Sequence, residues 1–276
     1  MTAAIATVPA SRRAPGSPRV SFLVSTLQVA RRALLRYFRT PQLVVVGSVQ
    51  GALFLLIFRY VFGGAVSVHG TSYVNFLVPG FAMTGVLFTG QGAATGVAED
   101  LSEGFVDRLR SLPAPRACFL SGRAVADTIW NSYGLFLAVA VGFAVGFRPK
   151  GSVPADIAAL GLCVLYGFAF EWLFIALGLV AGNAQAAQGM ALLIFPLTFV
   201  SSAYVPVASM PGWLQAFAMH QPVTYMVDAV RALALGAGEA SYTGHSASYF
   251  VGWSVVWALG TVAVLGPISA ARYNRA

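Results

Sequence analysis

Few side chains in this 276-residue sequence could do chemistry. Its 17 basic residues include one lysine, Lys150, set between Pro149 and Gly151. A phosphate-cradling loop needs G-x-x-x-x-G-K-[ST], so no such loop can be built around it. His69, His220 and His245 lack the spacing of metal ligands, and no Ser/His/Asp set is recognisable. Three charged features remain. Glu171 stands inside an otherwise apolar stretch, where a carboxyl is costly and is a functional candidate by default. An acidic-then-basic run extends from Glu99 to Arg116. Asp228 and Arg231 are spaced i, i+3, so they can pair on one helix face.

The elements that must position these residues follow from composition. The chain is 58% hydrophobic and only 9% charged, against about 25% charged for a soluble domain. That excludes the soluble classes and leaves an all-helical membrane protein. A crossing helix needs about 20 mostly apolar residues. Six such spans are expected, at about 42–63, 73–97, 124–147, 156–181, 187–207 and 246–271, the fourth and fifth separated by the polar cluster Gly182-Asn183-Ala184-Gln185. Short helices are expected at Pro211 to His220 and Thr224 to Leu235, broken at Gln221-Pro222. No cleaved signal is expected, because nothing before Gln42 is apolar enough. Cys118 and Cys163 are too few for a disulfide framework.

Basic residues set the orientation. The segment before the first span, the loop between spans two and three (Arg108, Arg110, Arg116, Arg123) and the tail (Arg272, Arg275) hold most of the arginines. Only Arg59, Arg148, Lys150 and Arg231 fall on the other side. Both termini are therefore expected to be cytoplasmic, in a bacterial plasma membrane; the excess of Arg over Lys suits a GC-rich bacterial genome. Residues 1–19 read as a disordered tail and 41–276 as the transmembrane domain. Residues 20–40 read as an amphipathic helix, with Val20, Leu23, Leu27, Ala30, Leu34 and Phe38 on one face and Ser21, Ser25, Gln28, Arg32, Arg36 and Arg39 on the other. Such a helix lies in the headgroup layer on anionic lipid, or its basic face docks a partner.

Three pairs of the form G-x-x-x-G, Gly92/Gly96, Gly142/Gly146 and Gly178/Gly182, permit close helix approach, more naturally within one chain than between chains. Glu171 has two readings, on a translocation path or dimer interface, or as a buried carboxyl bonded to a neighbouring helix. Asp127 and Arg123, near a span end, are expected to be solvated.

From Glu99 to Arg116 the residues read E-x-x-x-E-G-F-x-D-R-L-R-S-L-P-x-x-R. A helix would align Leu101, Phe105, Leu109 and Leu112 as an apolar stripe, with Gly104 inside it, ending at Pro113 and Pro115. On its own this could be a solvated surface turn. The string nevertheless resembles the segment that marks permeases of the ABC type-2 exporter family, especially the daunorubicin-resistance-like branch. Met210-Pro211-Gly212-Trp213-Leu214, Gln221-Pro222-Val223-Thr224-Tyr225 and Asp228 to Leu233 are similar to that family's P-x-W-L, N-P-x-x-Y and D-x-x-R-x-L elements, with Gln221 in place of Asn.

The resemblance implies a cytoplasmic coupling helix after span two that docks on a separate ATPase, through Glu99, Glu103, Gly104, Asp107, Arg108, Arg110, Pro113 and Arg116. It also implies short extracytoplasmic gate helices carrying Trp213, Pro222, Tyr225, Asp228 and Arg231. The implied assembly is two permease copies, or two similar permeases, with two ATPase subunits; ATP and Mg would bind the partner, and this chain would hold no cofactor or metal. No nucleic-acid partner is expected. The expected function is export of a hydrophobic or amphipathic compound such as a drug, lipid or glycolipid. A lipid-modifying membrane enzyme and a polysaccharide-export permease stand as alternatives.

Overall fold

The computed structural model describes residues 21–66, 68, 70–104, 117–236 and 245–275, and among them every regular element is a helix. Helix α1 (Phe22–Phe38) is followed at once by α2 (Pro41–Ile57), which runs on into a π turn over Phe58–Phe62. Three long helices come next, α3 (Tyr73–Ser102), α4 (Ala117–Ala144) and α5 (Val153–Ala181). Two short helices, α6 (Ala184–Leu192) and α7 (Phe195–Phe199), lead through a turn and a 3-10 segment (Val207–Ser209) to α8 (Gly212–His220) and α9 (Pro222–Leu235). Helix α10 (Ala247–Arg275) ends the chain.

Local chemistry sets these boundaries. Pro41 and Pro222 open α2 and α9 at a position where a missing N–H costs nothing. The Ser72 hydroxyl accepts from Asn75 N–H at the start of α3. Helix α5 stops where Gly182 turns left-handed at φ 75, and the next residue, Asn183, caps α6 by accepting from Ala186 N–H at 2.8 Å. The expected split at Gly182-Asn183 is thus a C-cap followed directly by an N-cap.

Among the described residues, five helices are long and apolar enough to cross a membrane: Val44–Phe62, Tyr73–Ser102, Ala117–Ala144, Val153–Ala181 and Ala247–Tyr273. They are not equivalent. The most apolar stretch of α3 is 83% buried, whereas those of α2 and α10 are 6% and 11% buried. Helix α3 is therefore the axis of the bundle, packed by α4, α5, α6 and α9, with α2 and α10 outside. The expected fifth span differs. Residues 184–199 form two short helices, because Pro196 cannot donate to the carbonyl four residues back and the chain turns at Leu193-Ile194.

Each G-x-x-x-G pair proves to be a pairing of unlike jobs. A Cβ on Gly96 would lie 2.0 Å from Arg123 Nη2, one on Gly142 2.6 Å from Val78, and one on Gly178 2.5 Å from the Ala94 carbonyl, so these three glycines pack within the chain. Their partners Gly92, Gly146 and Gly182 have no such contact, and the last two take positive φ.

Helix α1 has three faces where two were expected. Ser25, Thr26 and Ala30 are buried against α4, where a Cβ on Gly122 would meet the Thr26 carbonyl at 2.7 Å. Ser25 thus packs instead of joining the basic face, and Ala30 leaves the apolar one. Leu23, Leu27 and Phe38 remain exposed as an apolar stripe, and the arginines form a third.

Candidate functional site

Charge gathers at the two ends of α3, which at 1.5 Å per residue lie roughly 45 Å apart. At its C-terminal end, Arg123 of α4 reaches under α3. Its Nε donates to Asp127 Oδ2 at 2.8 Å, Nη1 to Asp100 Oδ2 at 3.4 Å, and Nη2 to the Gly92 carbonyl at 3.2 Å. The Tyr37 hydroxyl of α1 donates to the other Asp127 oxygen at 2.7 Å. Burial, followed by the Asp127 carboxylate, pushes the Tyr37 phenol up, so it stays protonated and remains a donor. Arg123 and Asp127 are 7% and 2% exposed. This corrects the expectation that solvent covers them. Their i, i+4 spacing makes the pair, and α1 and α3 shut water out.

Two more ion pairs connect α1 to the last turn of α3. Arg36 Nη2 lies 2.9 Å from Glu99 Oε2, and Arg32 lies 3.8 Å from Asp100. Glu99, Glu103 and Gly104 thus stand at the end of α3, with Glu99 paired to α1. Gly104 is not inside a helix as expected: at φ +64 it is in the left-handed region, no contact within 4 Å of a Cβ built on it is found among the described residues, and the helix ends before it. Its role here is a turn. Asp107, Arg108, Arg110, Pro113 and Arg116 lie outside the described residues, as do the tail 1–19 and His69.

Glu171 is fully buried midway along the bundle. Asn131 Nδ2 of α4 donates to its Oε1, and a Cβ on Gly90 would meet the Phe174 ring at 2.5 Å and Glu171 Oε1 at 3.3 Å. Glu171 therefore sits in a packed junction of α3, α4 and α5.

The other end of α3 carries a second buried cation. Arg231 of α9 pairs with Asp228 at 2.7 Å, the spacing read from sequence, and donates to the carbonyls of Ser202 at 2.7 Å and Phe76 at 3.2 Å. Its guanidinium lies 3.8 Å from the centre of the Phe76 ring. The Ser202 hydroxyl donates to Asp228 at 2.7 Å. Nearby, Gln221 Nε2 donates to the Leu197 carbonyl at 3.0 Å, tying the α8–α9 break to α7. Of the other outer candidates, Pro222 opens α9, and Tyr225 packs on Tyr249, Phe250 and Trp253 of α10. Trp213 stands apart on α8, 77% exposed.

Sequence reasoning missed Tyr37, Asn131, Ser202 and Phe76. Each acts through a partner distant in sequence, as with Tyr37 and Asp127, and carried no local signal. Among the described residues no three His, Cys, Asp or Glu side chains cluster as metal ligands, and both cysteines are free and buried.

The chain is similar to the daunorubicin resistance ABC transporter permease protein DrrB1 of Streptomyces coeruleorubidus, 28% identical over 257 residues, covering 93% of this chain and 88% of that one. It is 29% identical over 274 residues to the probable doxorubicin resistance ABC transporter permease protein DrrC of Mycobacterium tuberculosis, covering 97% and 95% of the two chains. The putative transport permease ycf38 of Porphyra purpurea is 26% identical over 212 residues, 74% of this chain and 71% of that one. The sequence model of the ABC-2 type transporter family matches residues 25–235, a stretch that begins in α1, holds both charged ends of α3 and closes with α9. The chain belongs to the ABC-2 type transporter family.

Proposed function

We propose that this chain is the membrane permease of an ATP-driven exporter of hydrophobic or amphipathic compounds. The observation that carries the reading is the family match over residues 25–235, joined to relatives named for resistance to daunorubicin and doxorubicin. The motor is a separate ATPase, holding ATP and Mg, that docks on the segment from Glu99 to Arg116. Two permease copies and two ATPase copies make the exporter.

Helices α6 and α7, with the turn up to Val207, form a sixth crossing in two pieces. The apolar run and the exposed Leu192, Leu193 and Leu197 support it. On this reading α1 and the C-terminal end of α3 lie on the cytoplasmic side of a bacterial plasma membrane, an orientation supported by the placement of the arginines. Helices α8 and α9 then lie at the outer exit, with Asp228 and Arg231 holding α9 to α3 while Trp213 and Tyr225 face the gate region. Glu171 holds spans together in place of meeting substrate, a role supported by its complete burial.

Co-reconstitution of the permease with its ATPase, with daunorubicin or doxorubicin as probe, tests the function. Stimulation of ATP hydrolysis that needs both permease and probe supports it. Lipid turnover by the permease alone would replace it with an enzyme. Charge reversal, Glu103→Lys with Asp107→Lys, should abolish probe-stimulated hydrolysis while membrane insertion persists. Normal stimulation and normal co-purification of the ATPase would remove the docking assignment.

A further inference from the structure

Helix α1 carries a concave basic surface of about 650 Å³, lined among the described residues by Gln28, Arg31, Arg32, Arg36, Arg39 and the flanking Leu35 and Thr40. At 3.6 residues per turn these positions form one stripe, and the exposed Leu23, Leu27 and Phe38 form the adjoining stripe. The remaining face is buried on α4. A helix held to its protein along one face therefore shows guanidinium groups directly beside bare aliphatic side chains. Free phosphate would use only the first stripe; a phospholipid uses both, its phosphate on the arginines and its acyl chains along the leucines.

We propose that this surface is a binding site for an anionic phospholipid, phosphate on Arg31 and Arg39 and acyl chain along Leu23, Leu27 and Phe38. Arg32 and Arg36 reach the acidic end of α3 from the same stripe, so the bound headgroup sits beside the ion pairs that join α1 to α3. The inference requires only that the chain is in a membrane and holds whatever compound it moves.

The test is native mass spectrometry of the purified full-length chain in neutral detergent, supplied with phosphatidylglycerol or phosphatidylcholine of identical acyl chains. Wild type should retain phosphatidylglycerol in preference. Arg31→Gln with Arg39→Gln should retain it about 30-fold less, with phosphatidylcholine retention unchanged. Both arginines are exposed and make no ion pair among the described residues, so the variant's unfolding temperature should match wild type; each single variant should lose part of the retention. Equal retention of the two lipids by wild type, or undiminished phosphatidylglycerol in the double variant, overturns the site. Displacement of the lipid by millimolar inorganic phosphate alone would also overturn it, because the apolar stripe would then contribute nothing.

Discussion

Removing the Arg123 guanidinium leaves Asp127 and Asp100 facing each other's neighbourhood in a buried space, with Tyr37 able to satisfy only one oxygen. Breaking such a pair costs about 3–5 kcal/mol, far more than an exposed one, which contributes about 0–1 kcal/mol. Arg123→Leu should therefore lower the thermal unfolding midpoint in detergent strongly, while Arg36→Gln, whose side chain is 58% exposed, should leave it nearly unchanged. A similar loss in both would show that α1 and α3 do not seal the cluster. Gly96→Ala places a methyl where Arg123 Nη2 now lies and should cost about 1–3 kcal/mol. Because both changes strike one contact, Gly96→Ala and Arg123→Leu should combine to less than their sum. At Glu171 the isosteric Glu171→Gln keeps an acceptor for Asn131, so transport and stability should both survive. Glu171→Ala should cost about 2–5 kcal/mol by emptying volume beside Phe174. Transport lost in a stable Glu171→Gln would place its charge on the path.

Between elements, the contact with the least slack joins α3 to the turn after α7. A Cβ on Gly80 would lie 2.2 Å from the Ala203 carbonyl, and backbone cannot swing aside as a side chain can. Gly80→Ala should thus loosen the turn that feeds Ser202 to Arg231, read as lower unfolding temperature and faster proteolysis between α7 and α8. Unchanged proteolysis would mean the turn adjusts freely. How much of this could be read beforehand depended on distance along the chain. The breaks at Thr40-Pro41, Gly182-Asn183 and Gln221-Pro222 announce themselves through proline and cap residues, and the Asp228–Arg231 pair through its spacing. The Arg123–Asp127 pair had the same kind of spacing, yet its burial depends on Tyr37 and Asp100 arriving from other helices. Gly104 looked like an awkward helical residue because a pattern of apolar positions carries no sign of φ. That the expected fifth span would divide into two short helices was not legible, since the capping turns there come from backbone bonds such as Leu193 N–H to the Met190 carbonyl.

For the whole molecule, scarcity of charge becomes an arrangement. Ion pairs collect at the two ends of α3, and the helix between them is buried by its neighbours. On the proposed orientation, a fluorescent protein fused after residue 276 should fold and fluoresce, and alkaline phosphatase fused near Lys150 should be active. The reverse pattern would invert the assignment of inside and outside. The uneven burial also has a hereditary side. A helix such as α2, 6% buried, should accept most exchanges among Val, Leu, Ile and Phe, whereas α3, 83% buried, should respond even to an added methylene. Relatives at 28% and 29% identity differ from this chain at most positions, and those differences should crowd onto α2 and α10 and spare α3, so that a lineage would rewrite the skin of this protein sooner than its axis.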